Sequence, residues 1–366
     1  MKKIFFALAA VAALASCSKV EATYEQDVEI SFNPVAANRT KAMVAGTTFP
    51  DEQFNVWGYY KQIPQGRTIA QWMASSLEQQ EYIVEKPFTK KANGLWGGVT
   101  SYFWPKVGSL MFVGYYPTNP TAAEIEYTFD NAVSKMTVTD YVAGNYQTTG
   151  YVDIHTTTSH VEDFMYFNMT PTSYNSTTQS TVGVVGNNVD VVFRHALSWI
   201  NVVLVQDATA PNTDDAEITV HSVKFTSVLP QGDAVVDNTP GATTDEIVWT
   251  AEGTSVNVEV CPNDDATTPF VESDVVLSTT ANHLGKQPLF IPQTMAGNLV
   301  VKYSIASTDG SKFTETKSIN LSGLEGNGAW QPGKKYTYTI TIGTSEILID
   351  PSVDDWDAVP VSAPIV

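Results

Sequence analysis

The five histidines and the paired acids are the residues of this chain best suited to chemistry, and their spacing decides which chemistry is open to them. His155 and His160, with Glu162 and Asp163 close by, could in principle gather around a metal ion. Zinc sites take His, Cys and carboxylate ligands at short, recurrent spacings. Two histidines separated by four residues in a Thr-rich stretch match none of these, so a polar loop is expected there and no metal. His195 follows Arg194 inside a long apolar run. A general base needs a nucleophile or an orienting carboxylate within reach. None accompanies His195 locally, so a histidine satisfied by hydrogen bonds is expected. Asp214-Asp215, Asp264-Asp265 and Asp354-Asp355 each lie beside turn formers, and turn and solvation roles account for them. The sequence contains no Gly-rich phosphate loop, Gly-x-Ser-x-Gly elbow, Cys-x-x-Cys pair or His-Glu-x-x-His helix. The expectation is a non-enzyme with no cofactor.

The two cysteines offer a different chemistry. Met1-Lys2-Lys3 leads into an apolar stretch, Ile4 to Leu14, and then Ala15-Ser16-Cys17. A basic start, an apolar segment too short to cross a bilayer and small residues before a cysteine read as a secretory signal over residues 1–16, cut between Ser16 and Cys17. Leu14-Ala15-Ser16-Cys17 resembles the lipobox of bacterial lipoproteins. The resemblance implies fatty acylation of Cys17, palmitate included, and attachment to the cell outer membrane. No other stretch approaches transmembrane length, so the acyl chains would be the only anchor. With Cys17 lipidated, Cys261 has no partner within the chain. Its place after Val258-Glu259-Val260 reads as a buried thiol at a strand end.

Composition narrows the partners. Thirty-nine acidic against twenty basic residues give a formal charge of −19, which repels phosphate backbones and argues against nucleic acid. Aromatics at 11% with charged residues at 16% describe a chain that builds a core. At 366 residues, domains of roughly 100 to 200 residues make two the natural number.

The elements that would position these residues are strands. Val189 to Val205 is the longest apolar, β-branched run after the leader and reads as one long buried strand, which would open a second domain. The division expected is residues 17–40 as an N-terminal strand, 41–188 as a first β domain and 189–366 as a second. Val28, Ile30 and Phe32 alternate with Asp27, Glu29 and Ser31, the period of a half-buried strand. A small, polar loop with Arg39 and Lys41 follows, of the kind proteases cut. Phe54, Val56 and Gly58 face away from Trp57 and Tyr59 in another strand. Ile69, Trp72, Met73 and Leu77 suggest one short helix. Residues 140–188 suggest long loops and short edge strands. Asp309-Gly310 marks a hairpin between Leu299–Ile305 and Phe313–Leu321. Val359, Val361, Ala363 and Ile365 alternate with Pro360 and Pro364 in a tail near 357–366 that could pair along one edge. Many short strands and almost no helix indicate an all-β fold of sandwiches.

Several local patterns together resemble the fimbrillin family of Bacteroidetes, the FimA-like and Mfa-like type V pilins. They are the lipobox at Cys17, Phe54-Asn55-Val56-Trp57-Gly58-Tyr59, Phe193-Arg194-His195-Ala196-Leu197-Ser198, Ile291-Pro292-Gln293-Thr294, and Trp330 to Tyr338 followed by Glu346-Ile347 and Val353-x-x-Trp356. The resemblance implies two tandem transthyretin-like β-sandwich domains and a subunit of a surface pilus, or fimbrium, used in adhesion. It also implies that a trypsin-like protease removes the first strand, cutting at Arg39-Thr40 or alternatively at Lys41-Ala42. Val28, Ile30 and Phe32 would then be the exchanged strand, and Val359, Val361, Ala363 and Ile365 of the next subunit the donor strand. Implied partners are other pilin subunits, the outer membrane before processing, the protease and a host or bacterial surface ligand. An anchor or tip subunit, or a glycan-binding surface lipoprotein, are the competing readings.

Overall fold

The computed structural model describes residues 24–36, 49, 53–64, 69–105, 107–120, 123–130, 132–143, 163–175, 180–182, 188–208, 216–239, 247–260, 274–283, 288–323, 328–344 and 347–355. The N-terminal half supplies β1 (Tyr24–Glu29), β2 (Ser31–Ala36), β3 (Phe54–Lys61), helix α1 (Ile69–Met73), β4 (Gln79–Lys90), β5 (Trp96–Gly98) and β6 (Phe103–Pro105). It continues with β7 (Ser109–Tyr116), β8 (Glu124–Phe129), β9 (Ser134–Val142), β10 (Met165–Asn175) and β11 (Ser180–Val182). From mid-chain run β12 (Asn188–His195), β13 (Ser198–Gln206), β14 (Ala216–Val228), β15 (Gln231–Asp237), β16 (Ile247–Glu252) and β17 (Val256–Glu259). The last are β18 (Val275–Val276), β19 (Asn282–His283), β20 (Leu289–Phe290), β21 (Asn298–Ser307), β22 (Lys312–Asn320), β23 (Lys334–Ile342) and β24 (Ile347–Asp355). The fold is all-β, as the sequence implies.

Seven strands close into a ring in the order β10-β12-β2-β5-β4-β3-β7, with β7 pairing back onto β10. Period-two alternation then sends alternate residues inside and outside. Phe54, Val56 and Tyr60 of β3 and Leu110, Phe112 and Tyr116 of β7 fill the interior. Trp57, Tyr59, Met111, Val113 and Tyr115 point the other way, into a second core. A four-stranded sheet, β16-β15-β9-β8, covers that second core. This is why β3 and β7 are buried at every position.

The C-terminal half packs two sheets face to face, β19-β13-β23-β24 and β17-β14-β21-β22. Their inner faces meet through Ile200, Val202 and Leu204 of β13, Phe225 of β14 and Tyr338 and Ile340 of β23. β13 runs parallel to β23 over eight paired positions. Gly310 takes φ 86° in the expected β21–β22 hairpin, although Phe313 on its outer arm is 57% exposed.

Three sequence expectations change. The run Val189 to Val205 is two strands: β12 belongs to the ring and β13 to the C-terminal pair of sheets. An apolar run cannot show where a chain passes from one sheet to the next when both ends are buried, and here it passes at Ala196-Leu197, both fully buried. The expected boundary between 188 and 189 therefore falls at the start of β12, whose ladder partners β2 and β10 both lie before it. Within 140–188, expected to be loops and short edge strands, β10 is eleven residues long and sits between β7 and β12. Its Thr and Ser content masks the strand, since β-branched threonine suits a ladder as well as a loop. Helix α1 does form and buries Trp72 and Met73, while Leu77 lies beyond it and is 45% exposed.

Buried phenols give the fold a pH limit. Burial, with Glu81 nearby, pushes Tyr59 up to about 12, and burial with Glu315 does the same to Tyr303. Burial raises Tyr115, Tyr127 and Tyr338 as well. The unfolded chain loses these protons near the ordinary value of 10.0, whereas the fold keeps Tyr59 protonated to about 12. Stability is thus complete below pH 10 and falls as pH rises toward 12. Urea unfolding at pH 9 and pH 11 is expected to give a lower midpoint at the higher pH, with tyrosinate absorbance appearing at the unfolding transition.

Candidate functional site

The N-terminal strand is a stave of the ring. β2 lies parallel to β12 over six positions, from Ser31 opposite Asn188 to Ala36 opposite Phe193. On its other side it meets β5 at Ser31–Gly97 and Phe32–Trp96 only, because β5 is three residues long. β1 pairs with β6, and Ile30, between β1 and β2, donates its N–H to the Tyr102 carbonyl at 2.7 Å.

Side chains follow the alternation read from the sequence. Ile30, Phe32 and Pro34 are buried, Val28 is partly buried against the same core, and Glu29 and Asn33 are exposed. Phe32 is fully buried, with ring centroids 4.9 Å from Phe88, 5.1 Å from Phe112, 5.8 Å from Phe54 and 6.4 Å from Phe167. The first three contacts are edge-to-face, the favourable aromatic geometry. On the outer face Ser31 Oγ donates to Asn188 Oδ1 at 2.8 Å and Asn33 Nδ2 to Asp190 Oδ1 at 2.9 Å. A cleft of about 230 Å³ opens where β2 begins, lined by Val28, Glu29, Ser31, Leu95 and Gly97.

Taking β2 away would expose two strand edges and the pocket of Phe32. Burial of a Phe or Ile side chain is worth about 1.5–3 kcal/mol each, and unpaired strand edges invite another strand. Arg39, Thr40, Lys41 and Ala42, the expected cleavage positions, lie outside the described residues, as do Ser16, Cys17, Cys261 and the tail residues Val359, Val361, Ala363 and Ile365.

The titratable residues resolve differently. His195 Nδ1 lies 2.9 Å from Asp163 Oδ2, both side chains buried. The carboxylate partner lies 32 positions upstream, at the entrance to β10, so the local motif could not reveal it; His155, His160 and Glu162 lie outside the described residues. With Ala196 donating to the Phe164 carbonyl, the pair fastens β10 to the point where the chain leaves the ring. Replacing His195 by alanine strands a buried carboxylate and is expected to cost about 3–5 kcal/mol, read as a lowered urea midpoint. Lys61, also fully buried, donates from Nζ to the Trp72 carbonyl at 3.0 Å, and burial lowers its pKa. It anchors α1. Among the described residues Asp140, Asp233 and Glu252 bring carboxylate oxygens within 4.8 Å of one another at the surface, a possible cation ligand set.

Comparison with known sequences separates this arrangement from a generic β protein. The sequence pattern of fimbrillin-like proteins matches residues 40–356. The chain belongs to the fimbrillin-like family. A prokaryotic membrane lipoprotein lipid attachment site matches residues 1–18, the stretch with Cys17. The two matches make this fimbrillin-like chain a membrane-anchored pilus or adhesion subunit. A fimbrial protein from Bacteroides vulgatus has a similar fold, with TM-score 0.57 at 18% identity over 90% of this chain and 100% of that one. A candidate cell adhesion protein from Bacteroides uniformis aligns with TM-score 0.45 at 15% identity over 90% and 98%. A candidate polysaccharide-binding protein from Bacteroides thetaiotaomicron gives 0.36 at 9% over 90% and 97%. Curated proteins offer no match. The family match begins at Thr40, so β1 and β2 of this fimbrillin-like chain lie outside it.

Proposed function

We propose that the chain is a structural, non-enzymatic pilus subunit that assembles by strand exchange after its first strand is removed. The observation behind this is the position of β2. It is a stave of a closed ring, seated by Phe32 and Pro34 and by Ile30 just before it. The segment that joins it to the body holds Arg39 and Lys41. In this reading Cys17 is acylated and holds the precursor at the outer membrane. A trypsin-like protease cuts at Arg39-Thr40 or Lys41-Ala42, and β2 then leaves. An alternating apolar strand from another subunit takes its place through main-chain pairing and side-chain pockets, the physics of strand addition. Head-to-tail contacts of this kind do not close and so give a filament. The mature subunit sits on the cell surface and contributes to adhesion to a host or bacterial ligand. In this reading the ring with its covering sheet β16-β15-β9-β8 is one of the transthyretin-like units that the resemblance implies, and the C-terminal pair of sheets is the other.

Glycan binding as the main activity gains no support from the tryptophans among the described residues. Of the seven tryptophans among the described residues, six are buried and Trp249 is half-buried with its Nε1 donating to the Ala196 carbonyl. None of them offers the open ring face that a sugar stacks on.

Deleting residues 357–366 tests whether this tail is the donor. The expected product is a folded, lipidated protein that is exported and processed but forms no filament with its own kind. Filaments of normal length from the deletion would show that this segment does not link copies of the chain.

A further inference from the structure

Among the described residues, β22 and β24 are outermost strands of the two C-terminal sheets, each paired on one side only. Such edges attract other strands unless charge or proline guards them. β24 is guarded: Pro351 has no N–H to offer, and Asp350, Asp354 and Asp355 give the strand one sign of charge. β22 is built differently. Its sequence, Lys312-Phe313-Thr314-Glu315-Thr316-Lys317-Ser318-Ile319-Asn320, carries both signs of charge and an apolar residue near each end.

The ladder fixes which backbone groups of β22 are turned outward. Ser307 donates its N–H to the Ser311 carbonyl at 2.9 Å, and the β21–β22 register then runs on without a shift. Bonded and non-bonded pairs alternate between antiparallel strands, so Phe313, Glu315, Lys317 and Ile319 direct their backbone groups to β21. Lys312, Thr314, Thr316, Ser318 and Asn320 direct theirs away. The side chains of Phe313, Glu315, Lys317 and Ile319 share a face with their partners Ile305, Tyr303, Val301 and Leu299, and so carry the core face outward. Phe313 is 57% exposed there.

A second copy of β22, laid antiparallel with Thr316 opposite its own counterpart, matches these features together. Outward backbone groups then meet outward backbone groups. On the core face Phe313 meets Ile319 at both ends, and Glu315 meets Lys317 twice at the centre. On the other face Thr314 meets Ser318 and Lys312 meets Asn320. Within each chain Lys317 already pairs with Glu315, which also accepts from the Tyr303 hydroxyl at 2.9 Å, so four charges of alternating sign surround the axis. Neighbouring registers lose the match. Moving the axis by one residue sets Glu315 against Glu315 or Lys317 against Lys317. Moving it by two puts Phe313 against Glu315 or Lys317 against Ile319. Opposite charges facing each other across strands stabilise the pair, and like charges weaken it.

We propose that β22 is a self-recognition edge, through which two copies of this chain pair about a two-fold axis at Thr316 and join their C-terminal sheets into one. The contact is isologous and closes on itself. It is therefore a lateral pairing, independent of what fills the place of β2.

The test uses the purified full chain in detergent, with Cys261→Ser so that the introduced thiol is the one that oxidises. Thr316→Cys should form a disulfide-linked dimer under mild oxidation, since bonded antiparallel partners sit about 5.5 Å apart at Cα, within disulfide range. Thr314→Cys and Ser318→Cys should each stay monomeric alone, because their own counterparts lie about 14 Å away along the strand. Mixed, the two should link to each other. Added to Thr316→Cys, Glu315→Lys and Lys317→Glu should each lower the dimer yield about tenfold. An equal mixture of these two charge variants should restore it, because each then faces the opposite sign. A monomeric Thr316→Cys would overturn the proposal. So would a Ser318→Cys dimer that forms as readily, or a mixture of the charge variants that links no better than either alone.

Discussion

Replacing Phe32 by alanine is expected to lower the stability of the intact chain by about 3–5 kcal/mol, the cost of deleting a buried ring whose surroundings cannot close over the gap. Four aromatic walls set by backbone ladders leave little relaxation, which places Phe32 at the upper end of that range. Urea unfolding of Phe32→Ala beside Ser31→Ala separates this effect from the loss of β2 pairing in general. Ser31 is only half-buried and loses one hydrogen bond to Asn188, worth about 1 kcal/mol. Once the chain is cut between residues 37 and 48, the same substitution should release the strand outright, because nothing covalent then offsets the missing ring. A Phe32→Ala chain as stable as the parent would mean that β2 is not held by its side chains.

The second large effect is expected from the space opposite that ring. Gly114→Ala puts a Cβ 2.3 Å from the Asn55 carbonyl oxygen and 2.5 Å from Phe167. Neither neighbour can yield cheaply, since Asn55 is part of the β3–β7 ladder and Phe167 lines the pocket. The expected loss is about 3 kcal/mol, at the upper end of what overpacking usually costs. Gly323→Ala is the matching control. It meets nothing within 4 Å and has an ordinary φ, so its effect should stay within about 0.5 kcal/mol. Thermal or urea melts of both variants check the pair.

What the sequence shows about this fold follows from which features are local. The inward and outward faces of β3, the alternation Ile30-Phe32 and the turn at Asp309-Gly310 depend on neighbours one or two positions away, and all three read correctly. Pairing partners depend on distant residues. Nothing near Phe32 announces that β2 runs parallel to a strand more than 150 positions later, and nothing near His195 points to Asp163. The passage from β12 to β13 is hidden for a related reason. Ala196 and Leu197 are buried in the core shared by the ring and the four-stranded sheet, so burial keeps the sequence apolar through the crossing. The candidate site was half legible in consequence. Its inward-facing side chains were evident from periodicity, whereas its closed surroundings, and with them the size of the Phe32 pocket, required the ring.

The central claim is that β2 leaves the mature subunit, and the N-terminus of protein sheared from the cell surface tests it most directly. Intact mass and terminal peptide sequencing of assembled material are expected to show a start at Thr40 or Ala42. Assembled material that begins at acylated Cys17, with residues 24–36 still attached, would contradict strand removal and leave the chain as an anchor or an unpolymerised surface lipoprotein.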